Sequence, residues 1–381
     1  MSLGASALDT LRAAYADPYA AAREHRVAGG TVVGYFLNSV PEELIVAAGC
    51  FPVRLRGEPN LRSPLAERYM EEYMDGEVRS IFGALLEQRF DFVNLLVIPR
   101  NSEVYLQLYY FLLEIPKWEP NIRLPALHLF DLLQTPNSTT LKYVTGRLHA
   151  LADRLNALNV KQITTESLSQ AIARTNAKRA LLQRASALWH SATPALSGVD
   201  ALAIISAASC MGHDDFTNAL SSLLAEPPPP SRERKPRLLL KGSPQSDART
   251  TAMIERLGGA VVAHDHLWGD RTYESLIPER SEPWSAVTRH YGLSIPSPRE
   301  YPQSKADERF LRLVERAQVD GVIFFHDEWD DTLGWEYPDQ KKALDARGIE
   351  SLFLKRQPYF APNEAEQAEL IGTFIHRVRT R

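Results

Sequence analysis

Two stretches of this 381-residue chain alternate strand-length apolar runs with helix-length segments, and that alternation limits the fold more than any single motif. In the first stretch Thr31-Val32-Val33-Gly34-Tyr35-Phe36, Phe51-Pro52-Val53-Arg54-Leu55 and residues 92–99 and 124–129 read as strands. They are rich in β-branched and aromatic residues and short enough to be buried strands. Between them, residues 40–49, 76–86 and 103–113 read as helices. Pro41 suits a first helical turn, Glu42 and Glu43 suit its positive end, and Gly49 suits its stop. A leading helix over 7–28 ends at Gly29-Gly30. The second stretch opens at Arg237-Leu238-Leu239-Leu240-Lys241-Gly242-Ser243. A helix over 247–257 ends at Gly258-Gly259, and strands follow at 260–263, 319–325 and 351–354. A helix over 341–347 is capped by Gly348, and a last helix covers 363–379.

Strand alternating with helix predicts parallel sheets built from βαβ units. Residues 139–225 are different: their periodicity is helical, and Ala, Leu, Arg and Asn dominate. Pro227-Pro228-Pro229-Pro230 then forms a stiff, extended connector. The expected architecture is therefore α/β: two Rossmann- or flavodoxin-like parallel-sheet domains joined by a helical segment. The boundaries fall at 1–138 for an N-terminal α/β domain with its leading helix, 139–226 for the helical segment, 227–235 for the proline-rich linker, and 236–381 for the C-terminal α/β domain.

Several function classes are disfavoured by composition. The net charge is −4 and the pI near 6.2, so nothing favours a nucleic-acid partner. The longest apolar runs, such as Leu95-Leu96-Val97-Ile98, cannot span a bilayer. Residues 1–10 do not read as a secretory signal, and a cytoplasmic protein is expected. The two cysteines, Cys50 and Cys210, form no C-x-x-C pair, which disfavours a disulfide framework or a zinc ribbon. Each reads more readily as a small core residue than as a nucleophile.

Ligands of open parallel sheets gather where the carboxyl ends of strands meet helix N-termini. This rule selects Leu37-Asn38-Ser39, Arg100-Asn101-Ser102-Glu103, Gly242-Ser243-Pro244-Gln245-Ser246, residues 264–271 and the acidic run 326–331. Each has a structural alternative. Ser39 and Ser102 are natural helix caps, Gly242-Ser243 is far short of a phosphate loop, and the acidic run suits a solvated loop. His264 and His266, at i and i+2, share one face of a strand, a spacing compatible with a metal or with a polar loop. No Ser-His-Asp elbow, Rossmann G-x-G-x-x-G or Walker motif is present.

The order of several segments carries a resemblance. Val33-Gly34-Tyr35-Phe36, leading into Val40-Pro41-Glu42-Glu43-Leu44-Ile45-Val46-Ala47-Ala48-Gly49-Cys50-Phe51-Pro52-Val53-Arg54-Leu55-Arg56-Gly57, resembles the N-terminal signature of the 2-hydroxyacyl-CoA dehydratase and benzoyl-CoA reductase subunits, including the 2-hydroxyglutaryl-CoA dehydratase D-component. Arg79-Ser80 before Val97-Ile98-Pro99 agrees with it. Asp265 with Gly269-x-Arg271 is similar to the family's Asp-Asp-Leu-Cys-Thr-Gly-x-Arg stretch. Val319-Asp320-Gly321-Val322-Ile323, then Trp335-Glu336-Tyr337-Pro338 and Gly348-Ile349, resembles its C-terminal segment. The resemblance covers nearly the whole chain.

It implies a two-subunit cytoplasmic protein in which each subunit holds a 4Fe–4S cluster on three cysteines. An ATP-driven activator would supply electrons, and an acyl-CoA would be dehydrated or its ring reduced. The three ligand positions fall here on Asp75, Ser102 and Asp330, and the cysteine of the Asp-Asp-Leu-Cys stretch falls on Leu267. Thiolates hold such clusters, so the family's cluster is expected to be absent.

Three functions remain open. One is a companion or regulatory subunit pairing with a homologous subunit, as a hetero- or homodimer, and acting on or near acyl-CoA. Another is an enzyme of changed chemistry. Its candidate catalytic residues are Asp75, Ser102, Asp330 and Glu336, with His326 near, suited to Mg²⁺ or Mn²⁺ or to acid–base work. The third is a protein that binds a CoA ester or another small ligand. Candidate cofactor- or ligand-binding residues are Asn38, Ser39, Ser243, His264, Asp265 and Arg271.

Overall fold

The computed structural model describes residues 3–100, 102–133, 135–297 and 300–380. Asn101, within one of the candidate loops, lies outside them.

Among the described residues eight strands form two four-stranded sheets, with all of these pairings parallel. In the first sheet β1 is Val32–Tyr35, β2 Phe51–Arg54, β3 Leu95–Arg100 and β4 Ala126–Asp131, in the order β2-β1-β3-β4. In the second, β5 is Arg237–Gly242, β6 Ala260–Asp265, β7 Gly321–Asp327 and β8 Glu350–Gln357, in the order β6-β5-β7-β8. The two sheets thus repeat one topology, as expected of two flavodoxin-like domains.

The central strands β1, β3, β5 and β7 are covered on both faces, which is why their sequences read as continuous apolar runs. Val32, Leu96 and Ile98 point into one core of the first sheet. Val33, Tyr35, Leu95 and Val97 point into the other. In the second sheet Leu238, Leu240, Ile323 and Phe325 face one core, and Leu239, Val322 and Phe324 face the opposite one. This is the two-residue alternation of a pleated strand.

The middle of the chain is helical, with helices Ser138–Asn156, Thr165–Ala185, Gly198–Ala207 and His213–Ala225. The leading segment divides into Leu3–Ala16 and Ala20–Val27 rather than running unbroken, with Pro18 in the break. Leu8 and Leu11 pack with Leu182, Trp189, Phe216 and Leu220, so the first helix completes the core of the helical segment. Residues 265–318, which carried no expected element, contain the helices Pro283–Arg289 and Gln303–Arg316. Among the described residues no helix is long and apolar enough to cross a membrane.

Buried ion pairs weld the parts together. Glu43, fully buried at the start of the helix Glu42–Ala47, accepts from Arg179 Nη2 at 2.6 Å, Thr175 Oγ1 at 2.8 Å and Tyr291 Oη at 2.7 Å. One carboxylate therefore joins the first α/β domain, the helical segment and residues that follow the second sheet's β6. Burial alone would raise its pKa, but the charge of Arg179 reverses that and holds it at about 2.

Candidate functional site

In each sheet the chain runs from the first strand to one neighbour and then reverses to the other side. The reversal lies between β1 and β3 in one sheet and between β5 and β7 in the other. Such switch points leave a crevice outside the carboxyl ends of the strands. The two crevices contribute to one cavity of about 290 Å³. Leu37 comes from the end of β1, Ser102 and Tyr105 from beyond β3, Gly242 and Pro244 from the end of β5, and Trp329 and Asp330 from beyond β7. Asp75, Glu77 and Arg271 complete it. Asp75, Ser102 and Asp330, distant in sequence, thus share one cavity.

Asp75 is the N-cap of the helix Gly76–Leu86, and its Oδ1 accepts from Val78 N at 2.9 Å. Burial raises its carboxyl pKa against that hydrogen bond, and Asp330 across the cleft adds to the rise. Ser102 occupies the N-cap position of the helix Glu103–Trp118 but makes no capping hydrogen bond with its side chain. On the opposite side, Ser243 Oγ donates to Asp330 Oδ2 at 2.8 Å and accepts from Asp327 N at 2.9 Å. Gly242, at φ +134°, brings this loop tight against β7: a Cβ there would sit 1.9 Å from the carbonyl oxygen of Phe325.

Behind the cavity lies a buried charge network. Asp265 accepts from Arg271 Nε at 2.6 Å and from Lys241 Nζ at 3.1 Å, and Lys241 also reaches Glu336 Oε2 at 3.3 Å. Burial opposes ionisation of Asp265, yet Arg271 and Lys241 hold it well below the usual carboxylate range. Two cations meet two carboxylates, so this network is self-compensating. Glu336 belongs to it and is absent from the cavity lining, while Arg271 serves both.

The remaining candidates are dispersed. His264 is fully buried, 3.1 Å from Thr251 Oγ1, and burial lowers its pKa to about 4. It does not line the cavity, and neither does His266. His326 lies at the end of β7 against Phe353, its pKa likewise lowered to about 4 by burial and by Lys241. Asn38 lines a smaller cavity of about 60 Å³ beside Arg54 and Trp268. Ser39 is fully buried.

Two residues of the site went unread in the sequence. Glu77 is 7% exposed and lines the cavity, and burial together with Asp75 pushes its carboxyl up to about 7. Its place in a first helical turn disguised it as a dipole-matching acid. Lys241 is 2% exposed. The signal was there, because a lysine ending the run Leu238-Leu239-Leu240 in a buried strand requires a buried partner.

Neither cysteine lines the cavity. Cys50 and Cys210 are buried in apolar clusters, and burial raises both thiols, to about 11 and about 12. The positions that the family resemblance assigns to thiolates present carboxyl and hydroxyl oxygens instead. These residues do not fit a thiolate-held iron–sulfur cluster. Among the described residues no group of three or more His, Cys, Asp or Glu side chains is placed to hold a metal ion.

A family model described as 2-hydroxyglutaryl-CoA dehydratase, D-component, matches residues 38–375. The (R)-phenyllactyl-CoA dehydratase beta subunit of Clostridium sporogenes is 20% identical, over 86% of each chain. A putative dehydratase subunit of Escherichia coli (strain K12) is 25% identical, over 92% of this chain and 90% of its own. A benzoyl-CoA reductase subunit of Thauera aromatica is 22% identical, over 95% of each.

Proposed function

This chain belongs to the 2-hydroxyglutaryl-CoA dehydratase D-component family, and from that premise we propose that it acts as a cluster-free companion subunit in an acyl-CoA-processing complex. The observation that carries the reading is a family match over nearly the whole chain combined with altered donors. Asp75, Ser102 and Asp330, which line the cavity between the two switch points, stand where the family resemblance expects thiolates. Relatives named as subunits of dehydratases and of a reductase support a protein partner. The partner in this reading is a homologous subunit that carries the cluster chemistry. Affinity purification of the full-length chain from its native host tests it. A stoichiometric, iron-containing homologue should co-elute, and a strictly solitary chain would overturn the reading.

A second reading is favoured by one observation, the convergence of Asp75, Ser102, Asp330 and Glu77 on one cavity. Carboxyls whose pKa burial raises, as at Asp75 and Glu77, are suited to acid–base work on an acyl thioester. Turnover of an acyl-CoA by the isolated chain, lost in Asp330→Asn, would replace the companion reading with this one.

A further inference from the structure

The loop that follows β5 also borders a second cavity, of about 250 Å³, whose lining comes entirely from the second α/β domain. Pro244 and Gln245 line it from that loop, Met253 and Arg256 from the helix Arg249–Arg256, Tyr359 from the segment after β8, and Gln367 from the last helix, Glu364–Arg379. The volume is near the lower end of small-molecule sites. One part of the wall is fixed by the first domain. Tyr359 is seated against Gly57 and Gly76, where an added Cβ would come within 2.6 Å of its Oη and 2.3 Å of its Cβ respectively.

Two buried carboxamides line this cavity, each with one end committed to the protein. Gln367, 6% exposed, donates from Nε2 to Gln357 Oε1 at 2.5 Å. Gln357 is in turn oriented by donating to the carbonyl of Lys355 at 2.8 Å. The Oε1 of Gln367 is left as an acceptor. Gln245, 8% exposed, accepts at Oε1 from Thr250 Oγ1 at 3.0 Å, which leaves its Nε2 as a donor. Among the described residues neither free end has a protein partner, and neither is closed to solvent. Buried polar ends are costly when unpaired, so a ligand that meets both gains from each.

The charges around the cavity balance. Arg249 is paired with Asp247 at 2.9 Å, and Arg256 and Glu364 both line the wall. Asp327 holds its proton, because burial and then Asp75 and Asp330 raise its carboxyl well above the usual range. An uncharged ligand suits such a site. Met253, Phe325, Pro358 and Pro362 supply apolar surface beside the amides.

We propose that this cavity binds a neutral ligand carrying a primary carboxamide on an apolar body, with Gln245 Nε2 donating to its oxygen and Gln367 Oε1 accepting from its amino group. The proposal goes beyond the companion-subunit reading and holds whether or not a partner is bound.

Calorimetric titration of the full-length chain at neutral pH tests it, with benzamide, acetophenone and benzoate as probes. Acetophenone keeps the carbonyl but has no donor, and benzoate adds a charge. Benzamide should bind at least about tenfold more tightly than either, a gap of about 1.4 kcal/mol. Gln245→Met and, independently, Gln367→Met should each weaken it about tenfold, while the surface variant Asp345→Asn leaves it unchanged. A crystal structure of the wild-type chain with benzamide gives a readout that needs no variant: the amide should lie between Gln245 Nε2 and Gln367 Oε1. Equal binding of acetophenone or benzoate, indifference to either glutamine variant, benzamide seated elsewhere, or no saturable benzamide binding up to about 10 mM would each overturn the proposal. None of these outcomes bears on co-purification with a partner.

Discussion

At the scale of single residues, Glu77 combines near-complete burial, a carboxylate neighbour and an unpartnered oxygen. Its pKa is about 7 in the folded chain against 4.5 as the ordinary value. The folded state thus holds the proton more strongly than the unfolded state between those values. Stability from this group is full below pH 4.5 and falls as pH rises to about 7. The Glu77→Gln variant should lose that slope and gain up to about 3 kcal/mol at pH 8, the upper limit set by the shift. Denaturant unfolding of both proteins from pH 5 to 8 reads it directly. A wild-type chain with no greater loss of stability than the variant would show that Glu77 is ionised throughout.

At the scale of the element, the helix Gly76–Leu86 is started by a residue that works twice. Asp75 caps the helix through Val78 N, and its charge faces Asp330 across the cleft. Asparagine caps as well as aspartate but carries no charge. Asp75→Asn should therefore leave thermal stability equal or higher, whereas Asp75→Ala loses the cap and costs about 1 kcal/mol. Thermal unfolding of the pair separates capping from repulsion. Asp75 was singled out through the family pattern and not as a cap, and helix periodicity could not show that it faces Asp330, because it carries no information about a facing domain. The loops after β5 and β7 behave alike: Ser243 and the 326–331 run were flagged separately, and only folding joins them through the 2.8 Å bond to Asp330.

At the scale of the whole molecule, the two switch points can share a cavity only if the two sheets keep a fixed relation. The buried Glu43–Arg179 pair, with Tyr291 and Thr175, provides one such tie. Breaking a buried pair leaves an uncompensated charge, so Arg179→Ala should destabilise the fold by about 3–5 kcal/mol. Because Glu43 is held at about 2 against an ordinary 4.5, its stabilisation is full above pH 4.5 and is lost as pH falls toward 2. The Arg179→Ala variant should lose much of this acid-limb slope in denaturant unfolding. An unchanged slope would mean that Arg179 is not what keeps Glu43 ionised.

The sequence by itself determined the parallel α/β class, the helical middle and the strand ends where chemistry collects. Those properties follow from local periodicity, from glycine and proline punctuation, and from apolar runs long enough to be buried on both faces. It also placed Asp75, Ser102 and Asp330 as counterparts of one another through the family pattern. The sequence did not separate the residues that line the cavity from those that support it. Glu336 was a catalytic candidate beside Asp330, and His264 and Asp265 were ligand-binding candidates, yet the chain folds all three away from the cavity lining. Only the tertiary structure decided this, because the sign and strength of a buried charge depend on which groups lie within a few ångströms, and here those partners come from segments up to hundreds of residues apart.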